Sequence, residues 1–286
     1  MAITVRRIVP GEEAKTDAFL AATPESTLFL RSNLARAGLN DDGATFSGTY
    51  AGAFEGERLV GVAASFWNGN VLVAPGPHAE HAAVHAVEQS GRAVLGIVGP
   101  YSELLRVRSA LSLDDAPTRV VSREILYALH LESLVVPEPL ASGLVAGRRA
   151  RDDEMGALVE WRMRYGAETT NVPDTAESRS EQARGLAALQ HRGHVFVATA
   201  FGGRVATSTF NASVADVVQI GGVWTPPELR GRSYARCVIA WSLQNARNDG
   251  TRLAVLFTNE ENLPAQAAYV ALGFRPVGEY GFVVFA

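Results

Sequence analysis

The stretch PPELRGRSYARC (226–237) decides how this chain is read. Pro226 and Pro227 stop the extended run VVQIGGVWT (217–225), because proline has no amide to give to a strand ladder. Arg230-Gly231-Arg232-Ser233 then lead into an apolar-periodic segment that runs to about Asn248. A strand end, a tight turn and a helix start therefore meet in one place. The first turn of a helix carries N–H groups with no intrahelical partner, and together with the helix dipole they attract an anion. Small residues let phosphate oxygens close on such amides, and guanidinium groups match those oxygens in pairs. The stretch reads as a phosphate-type anion site made of main-chain amides. It is not a Walker loop, since no G-x-x-x-x-G-K-[ST] occurs in the chain, and it is not the G-x-G-x-x-G that directly follows a strand in dinucleotide-binding folds.

Outward from this stretch, the chain starts with an extended ITVRRIV (3–9), then helical patterns over 11–22 and 25–38, with Ser26 placed to cap the second and Gly38 to end it. Three short strands follow in 49–75, turned at Gly56 and at Asn68-Gly69-Asn70. A helix at 77–90, a buried-type strand at 93–99, a helix at 101–112 and a strand near 123–131 complete the first half. LVVPEPLASG (134–143) has two prolines and little periodicity, and it marks a boundary between segments 1–138 and 139–286. The order then begins again with a strand at 144–150 and a helix from about Glu154, capped by Asp152 or Asp153. Leu158, Trp161, Arg162 and Tyr165 fall at helical spacing along it. A helix over 176–191, a hairpin around Gly202-Gly203, the strand 217–225 and the helix to about Asn248 come next. A strand at 252–259, a helix at 262–272 and a final strand pair near 274–285 end the chain. Identity between the halves is slight, so a tandem repeat of one α/β unit rests on this order of elements.

The length of 286 residues suits one large or two medium domains, and 47% hydrophobic with 20% charged residues is the balance of a globular protein. A net charge of −4 without a basic tract gives no field for nucleic acid or an anionic membrane. Cys237 stands alone, which excludes an intramolecular disulfide and a cysteine-based zinc site and makes the cytoplasm the expected compartment. No apolar run approaches the ~18 residues of a membrane span, and the N-terminus lacks the apolar core of an export signal.

PELRGRSYAR (227–236) resembles the pyrophosphate loop of the GNAT N-acetyltransferase superfamily, whose pattern is Q/R-x-x-G-x-G/A. Arg230, Gly231, Arg232 and Ala235 fit its common R-G-x-G-x-A form, while Ser233 stands where glycine is usual. That departure is mild if the backbone there keeps a negative φ, as a helix start does. NLPAQAAYVALGF (262–274) is similar to the family's N-x-x-A-x-x-x-Y-x-x-x-G-F signature at Asn262, Ala265, Tyr269, Gly273 and Phe274. The resemblance covers about residues 144–286. It implies an α/β fold with a mixed sheet, built as two tandem acyl-CoA N-acyltransferase domains, of which 1–138 is degenerate and 139–286 binds acetyl-CoA. It implies that the amides from about Gly231 through Arg232, Ser233, Tyr234 and Ala235 to Arg236, with Arg230 beside them, hold the pyrophosphate. Val223, Trp224 and Thr225 would pair with the pantetheine arm, and Asn262 would face the cofactor. The Val223 N–H would polarise the thioester carbonyl and Tyr269 would protonate the departing thiolate. The acceptor implied is a primary amine on a small molecule or a protein.

The general base is not legible: the strand 217–222 has no carboxylate, and Asp216, Glu168, Asp174 and Glu177 are the nearby acids. His78, His81 and His85 share a helical face but lack the H-E-x-x-H order, so they read as a polar face and no metal is expected. Cys237 lies in an apolar run and reads as a small core residue. The alternative from another class is a non-catalytic acyl-CoA-binding sensor, against which the intact Tyr269 signature argues. Aminoacyl transfer from tRNA is disfavoured by the acidic balance.

Overall fold

Alternating short apolar runs and turn residues give the same succession of elements twice. The computed structural model describes residues 3–169 and 173–286. The first half holds β1 (Ile3–Arg7), α1 (Glu13–Leu20), α2 (Pro24–Ala37), β2 (Gly48–Glu55), β3 (Arg58–Phe66), β4 (Asn70–Val73), α3 (Ala79–Ser90), β5 (Gly96–Pro100), α4 (Tyr101–Ala110) and β6 (Thr118–His130). A short α5 (Glu138–Ala141) lies in the proline-bearing link. The second half repeats the order with β7 (Ala146–Arg149), α6 (Met155–Thr169), α7 (Ala176–His191), β8 (Val195–Ala200), β9 (Gly203–Ser213), β10 (Val217–Trp224), α8 (Tyr234–Asn248), β11 (Leu253–Asn259), α9 (Leu263–Ala271) and β12 (Arg275–Phe285).

Three local expectations are corrected, and the expected hairpin around Gly202-Gly203 is found between β8 and β9. Ser26 lies inside α2, which starts instead with Pro24 at its first position after Thr23, where the missing proline amide is not needed. Asp152 and Asp153 sit in a short 3-10 turn ahead of α6, and the carboxylate that caps is Glu154, which accepts from the Arg151 N–H at 2.9 Å. The hairpin turns on Phe201 (φ 52°) and Gly202 (φ 77°), with Ala200 paired to Gly203. The end of the chain is one long strand, β12, rather than a strand pair.

The chain forms two compact units that are not contiguous halves. One comprises residues 1–127, 257–262 and 276–286; the other comprises 128–256 and 263–275. In the first unit the strand order is β1-β2-β3-β4-β5-β12-β6, so the C-terminal strand lies between β5 and β6. Its register against β5 runs from Tyr280 opposite Pro100 to Val284 opposite Gly96. Tyr280 is buried and stacks on Phe257 with ring centroids 5.2 Å apart, which ties both late segments into this core.

In the second unit the strand order is β11-β10-β9-β8-β7, with β10 and β11 parallel and the others antiparallel. The apolar face of α8 packs on this sheet through Cys237, Val238, Ile239 and Leu243, all fully buried. Gly147 on β7 admits that helix closely, since a Cβ there would lie 2.1 Å from Cγ of Trp241. Glu154 is buried at the base of α6 and accepts from Arg148 at 2.6 and 2.7 Å and from Arg204 at 3.0 Å.

Candidate active site

The site begins where β10 leaves its neighbours. Parallel pairing with β11 covers Val217–Gln219 against Leu253–Val255, whereas β10 runs on to Trp224. Against β9 the register passes from Gly221 opposite Thr209 to Trp224 opposite Thr207, which leaves one extra residue on β10. That is a β-bulge, and Gly222 makes it with φ +56°, a conformation that side-chain-bearing residues rarely adopt. The Thr209 hydroxyl donates to the Gly221 carbonyl at 3.0 Å and pins the bulge. The consequence is that Val223 stands half-buried next to a break in the ladder, near the end of the strand. The paired glycines Gly221-Gly222 were the sequence signal for this feature.

After Pro226 and Pro227 the chain makes a short 3-10 turn and reaches α8 through two left-handed residues, Gly231 (φ +77°) and Ser233 (φ +65°). The expectation of negative φ at Ser233 is therefore corrected: this serine occupies a glycine conformation. The Cys237 N–H is the one that bonds back to the Ser233 carbonyl, at 3.0 Å. The amides of Tyr234, Ala235 and Arg236 thus form the open first turn of α8. The Tyr234 side chain is buried and takes no part in that opening. Gly231 faces open space, with nothing within 4 Å of an added Cβ, so the loop leaves room for a bulky anion.

The arginines divide their work. Arg232 is exposed and has no ion pair among the described residues. The Arg236 guanidinium donates to the Ser233 hydroxyl. Arg230 turns the other way: Nη2 donates to Glu168 Oε2 at 2.6 Å and Nε to the Thr225 carbonyl at 3.1 Å. Glu168, in the last turn of α6, also accepts from the Trp224 indole N–H at 3.4 Å. A candidate base and a candidate phosphate ligand are thus paired with each other beside the strand end. The Thr225 hydroxyl is buried and has no hydrogen-bond partner among the described residues.

Of the other acids, Asp216 precedes β10 at the opposite end from Val223, with its carbonyl held by the Arg252 and Leu253 amides. Asp174 pairs with Arg179 at 2.9 Å. Tyr269 lies on α9 with its side chain 8% exposed and its ring 6.1 Å from Phe274. Gly273 ends α9 with φ +99°, where a Cβ would lie 2.8 Å from the Ser133 carbonyl. Asn262 directly precedes α9, its N–H donating to the Asn259 carbonyl. Cys237 is fully buried, and burial pushes its thiol up. His78, Glu80 and His81 bring their ligating atoms within 4.8 Å of one another at the start of α3, and His85 is not part of that group.

Sequence reasoning missed Arg162. It projects from α6 to the bulge, and a Cβ on Gly222 would lie 2.2 Å from its Nη1. Its Nε donates to Gln182 Oε1 at 3.1 Å, and Nη1 is buried with no partner among the described residues. Burial pulls its pKa down, although a guanidinium keeps its charge at neutral pH. Its signal was a single arginine at helical spacing among Leu158, Trp161 and Tyr165. A narrow cleft opens here, walled by Trp161, Tyr165, Leu186, Thr209 and Trp224. The hairpin tip near Gly202 lines a different cleft with Arg148, Glu154 and Arg204.

A family model described as Acetyltransferase (GNAT) family matches residues 155–274. Over that span the chain is a match to the GNAT acetyltransferases. The match supports an acyl-CoA-dependent acetyltransferase domain in this segment, and the matched span holds the bulge, the loop and α9. No curated protein matches this chain in sequence. Its fold is that of several solved structures. A GNAT-family acetyltransferase from Colwellia psychrerythraea shares 16% identity at a TM-score of 0.55, covering 99% of this chain and 100% of that one. A tandem GNAT protein from the clavulanic acid biosynthesis pathway shares 15% at 0.58, covering 99% and 98%. A GCN5-related N-acetyltransferase from Sphaerobacter thermophilus shares 14% at 0.57, covering 98% and 94%. Among the described residues no helix is long and apolar enough to cross a membrane.

Proposed function

We propose that the second half of this chain, residues 139–286, moves the acetyl group of acetyl-CoA to a primary amine. The observation that carries this reading is one juxtaposition: the bulged end of β10 leads, through a turn with two left-handed residues, into the open amide turn of α8. Acetyl-CoA supplies an activated acetyl thioester. The amides from Gly231 to Arg236 hold its pyrophosphate by the partial positive charge of a helix start, with Arg232 adding an exposed guanidinium. Val223, Trp224 and Thr225 receive the pantetheine arm by extending the strand's hydrogen bonding beyond the bulge, and Asn262 faces the cofactor from the start of α9. The Val223 N–H, next to the ladder break, donates to the thioester carbonyl oxygen as charge builds there. Tyr269 gives its hydroxyl proton to the departing thiolate. Arg230 acts by holding Glu168 and the Thr225 carbonyl, which fixes the strand end rather than neutralising phosphate. An amine that arrives neutral needs no strong base, so the pairing of Glu168 does not stand in the way.

The test has two arms. Coenzyme A raises the melting temperature of the wild-type protein, and acetyl-CoA with a panel of primary amines releases thiol. Tyr269→Phe lowers kcat by about 10²-fold or more, the usual scale of a general acid, while the KM for acetyl-CoA stays close to wild type. Unchanged turnover in Tyr269→Phe removes that residue's role; no thermal response to coenzyme A removes the donor site.

A further inference from the structure

The cleft beside the bulge holds an unused charge. Arg162 Nη1 is buried and lacks a hydrogen-bond partner among the described residues, and its Nε is taken up by Gln182. None of the described residues lining the cleft is acidic. Taking a guanidinium N–H out of water without a partner costs about 1–3 kcal/mol or more; the guanidinium lies 5.4 Å from the Tyr165 ring centroid, but no described residue accepts from Nη1, so this donor is placed for something the described residues do not provide. Nη1 lies over Gly222, one residue from the Val223 amide that is read above as the oxyanion donor. Trp161 and Trp224 stand 5.3 Å apart beside it, Arg164 covers the Trp224 ring at 5.0 Å, and Leu158 and Leu186 close the apolar side.

We propose that this cleft is the acceptor subsite and that Arg162 receives a carboxylate of the acceptor, so that the substrate is a small amino acid. The proposal rests on the donor reading given above. A carboxylate oxygen held at about 2.8 Å from Nη1 and a nitrogen about 3–3.5 Å from the acetyl carbonyl carbon leave space for only a few atoms between them. An amino acid has its nitrogen and carboxylate at that separation, and its side chain would lie against Trp161 and Trp224. In the reaction the neutral amine nitrogen forms a bond to the acetyl carbon and the carbon–sulfur bond breaks. The sulfur leaves with the electron pair and ends as the thiol, and the nitrogen gives up one proton to become an amide. Arg162 stays cationic throughout and positions the acceptor.

The experiment uses the full chain, acetyl-CoA as donor, thiol release as readout, and the common L-amino acids each beside its carboxamide, with phosphoethanolamine as a further acceptor. At least one amino acid should be acetylated with kcat/KM tenfold or more above its carboxamide. Arg162→Leu should lower kcat/KM for that amino acid at least thirtyfold, mainly through KM, while changing the carboxamide less than threefold. Arg162→Lys should recover part of the loss. Coenzyme A binding, followed by thermal shift, should be the same in all three proteins. Coenzyme A binding with equal use of acid and carboxamide, with no amino acid accepted, or with phosphoethanolamine preferred overturns the carboxylate subsite alone. Should Arg162→Leu not fold, the acid-to-amide ratio of the wild type and Arg162→Lys decide. Absence of coenzyme A binding overturns the donor reading and this subsite with it.

Discussion

Gly222→Ala tests how the bulge and Arg162 depend on each other. The left-handed backbone at φ +56° costs a side-chain-bearing residue about 1–2 kcal/mol. The new methyl would sit 2.2 Å from Arg162 Nη1, and ordinary contact begins at 3.4 Å, so the guanidinium must retreat by more than about 1 Å. That displacement forces Arg162 off its rotamer, about 0.5–1.5 kcal/mol, and strains its hydrogen bond to Gln182, worth about 0.5–1.5 kcal/mol. The substitution should therefore destabilise the protein by about 2–5 kcal/mol, which for a chain of this size lowers the melting temperature by about 4–10 °C. In an Arg162→Ala background the methyl meets no guanidinium; the backbone penalty of about 1–2 kcal/mol remains, with a close approach to Thr209 Oγ1 at 3.1 Å that both backgrounds share. The assay is a double-mutant cycle by urea unfolding. A coupling of about 1–3 kcal/mol between the two positions is expected. An equal cost of Gly222→Ala in both backgrounds refutes the claim that Arg162 is seated on the bulge.

Two further predictions follow from charge and backbone. The hydrogen bonds from Arg148 hold the Glu154 carboxyl down to about 2, with the Arg151 amide and Arg204 adding to them against burial. Its folded-state value is depressed, so the stabilisation is complete above the ordinary carboxylate range and fades as pH falls from about 5 to about 2. Urea midpoints measured across that range should drop steeply in the wild type and less steeply in Glu154→Gln, while Glu12 and Asp41, also held to about 2 by Arg6 and Arg92, supply the remaining slope. Ser233→Gly removes a left-handed penalty of about 1–2 kcal/mol and returns about 0.4–1 kcal/mol of chain entropy to the unfolded state, so the variant should melt at or slightly above wild type. Its coenzyme A affinity by calorimetry should remain within threefold; a tenfold loss, about 1.4 kcal/mol, would show that the hydroxyl itself is a ligand.

The sequence by itself determined the succession of elements in both halves and the nature of the loop at 226–237. Those features are local: prolines stop β10, glycine permits the turn, and apolar periodicity carries α8 and α9. It also supplied Gly273 as the end of α9, because a helix end that needs positive φ leaves a glycine in the chain. Only the tertiary structure decided the rest. The segment expected as a last strand pair became a single β12 lying between β5 and β6, since a period-two pattern tells which face is buried but not which strand it will meet. Ser233 took a left-handed conformation because the turn before α8 fixes its backbone regardless of residue preference. Arg230 went to Glu168 rather than to the open amides, and Arg162 came to rest on Gly222. Each partner lies tens of residues away along the chain, and a charge carries no mark in the sequence of the opposite charge or the cleft that folding will bring to it.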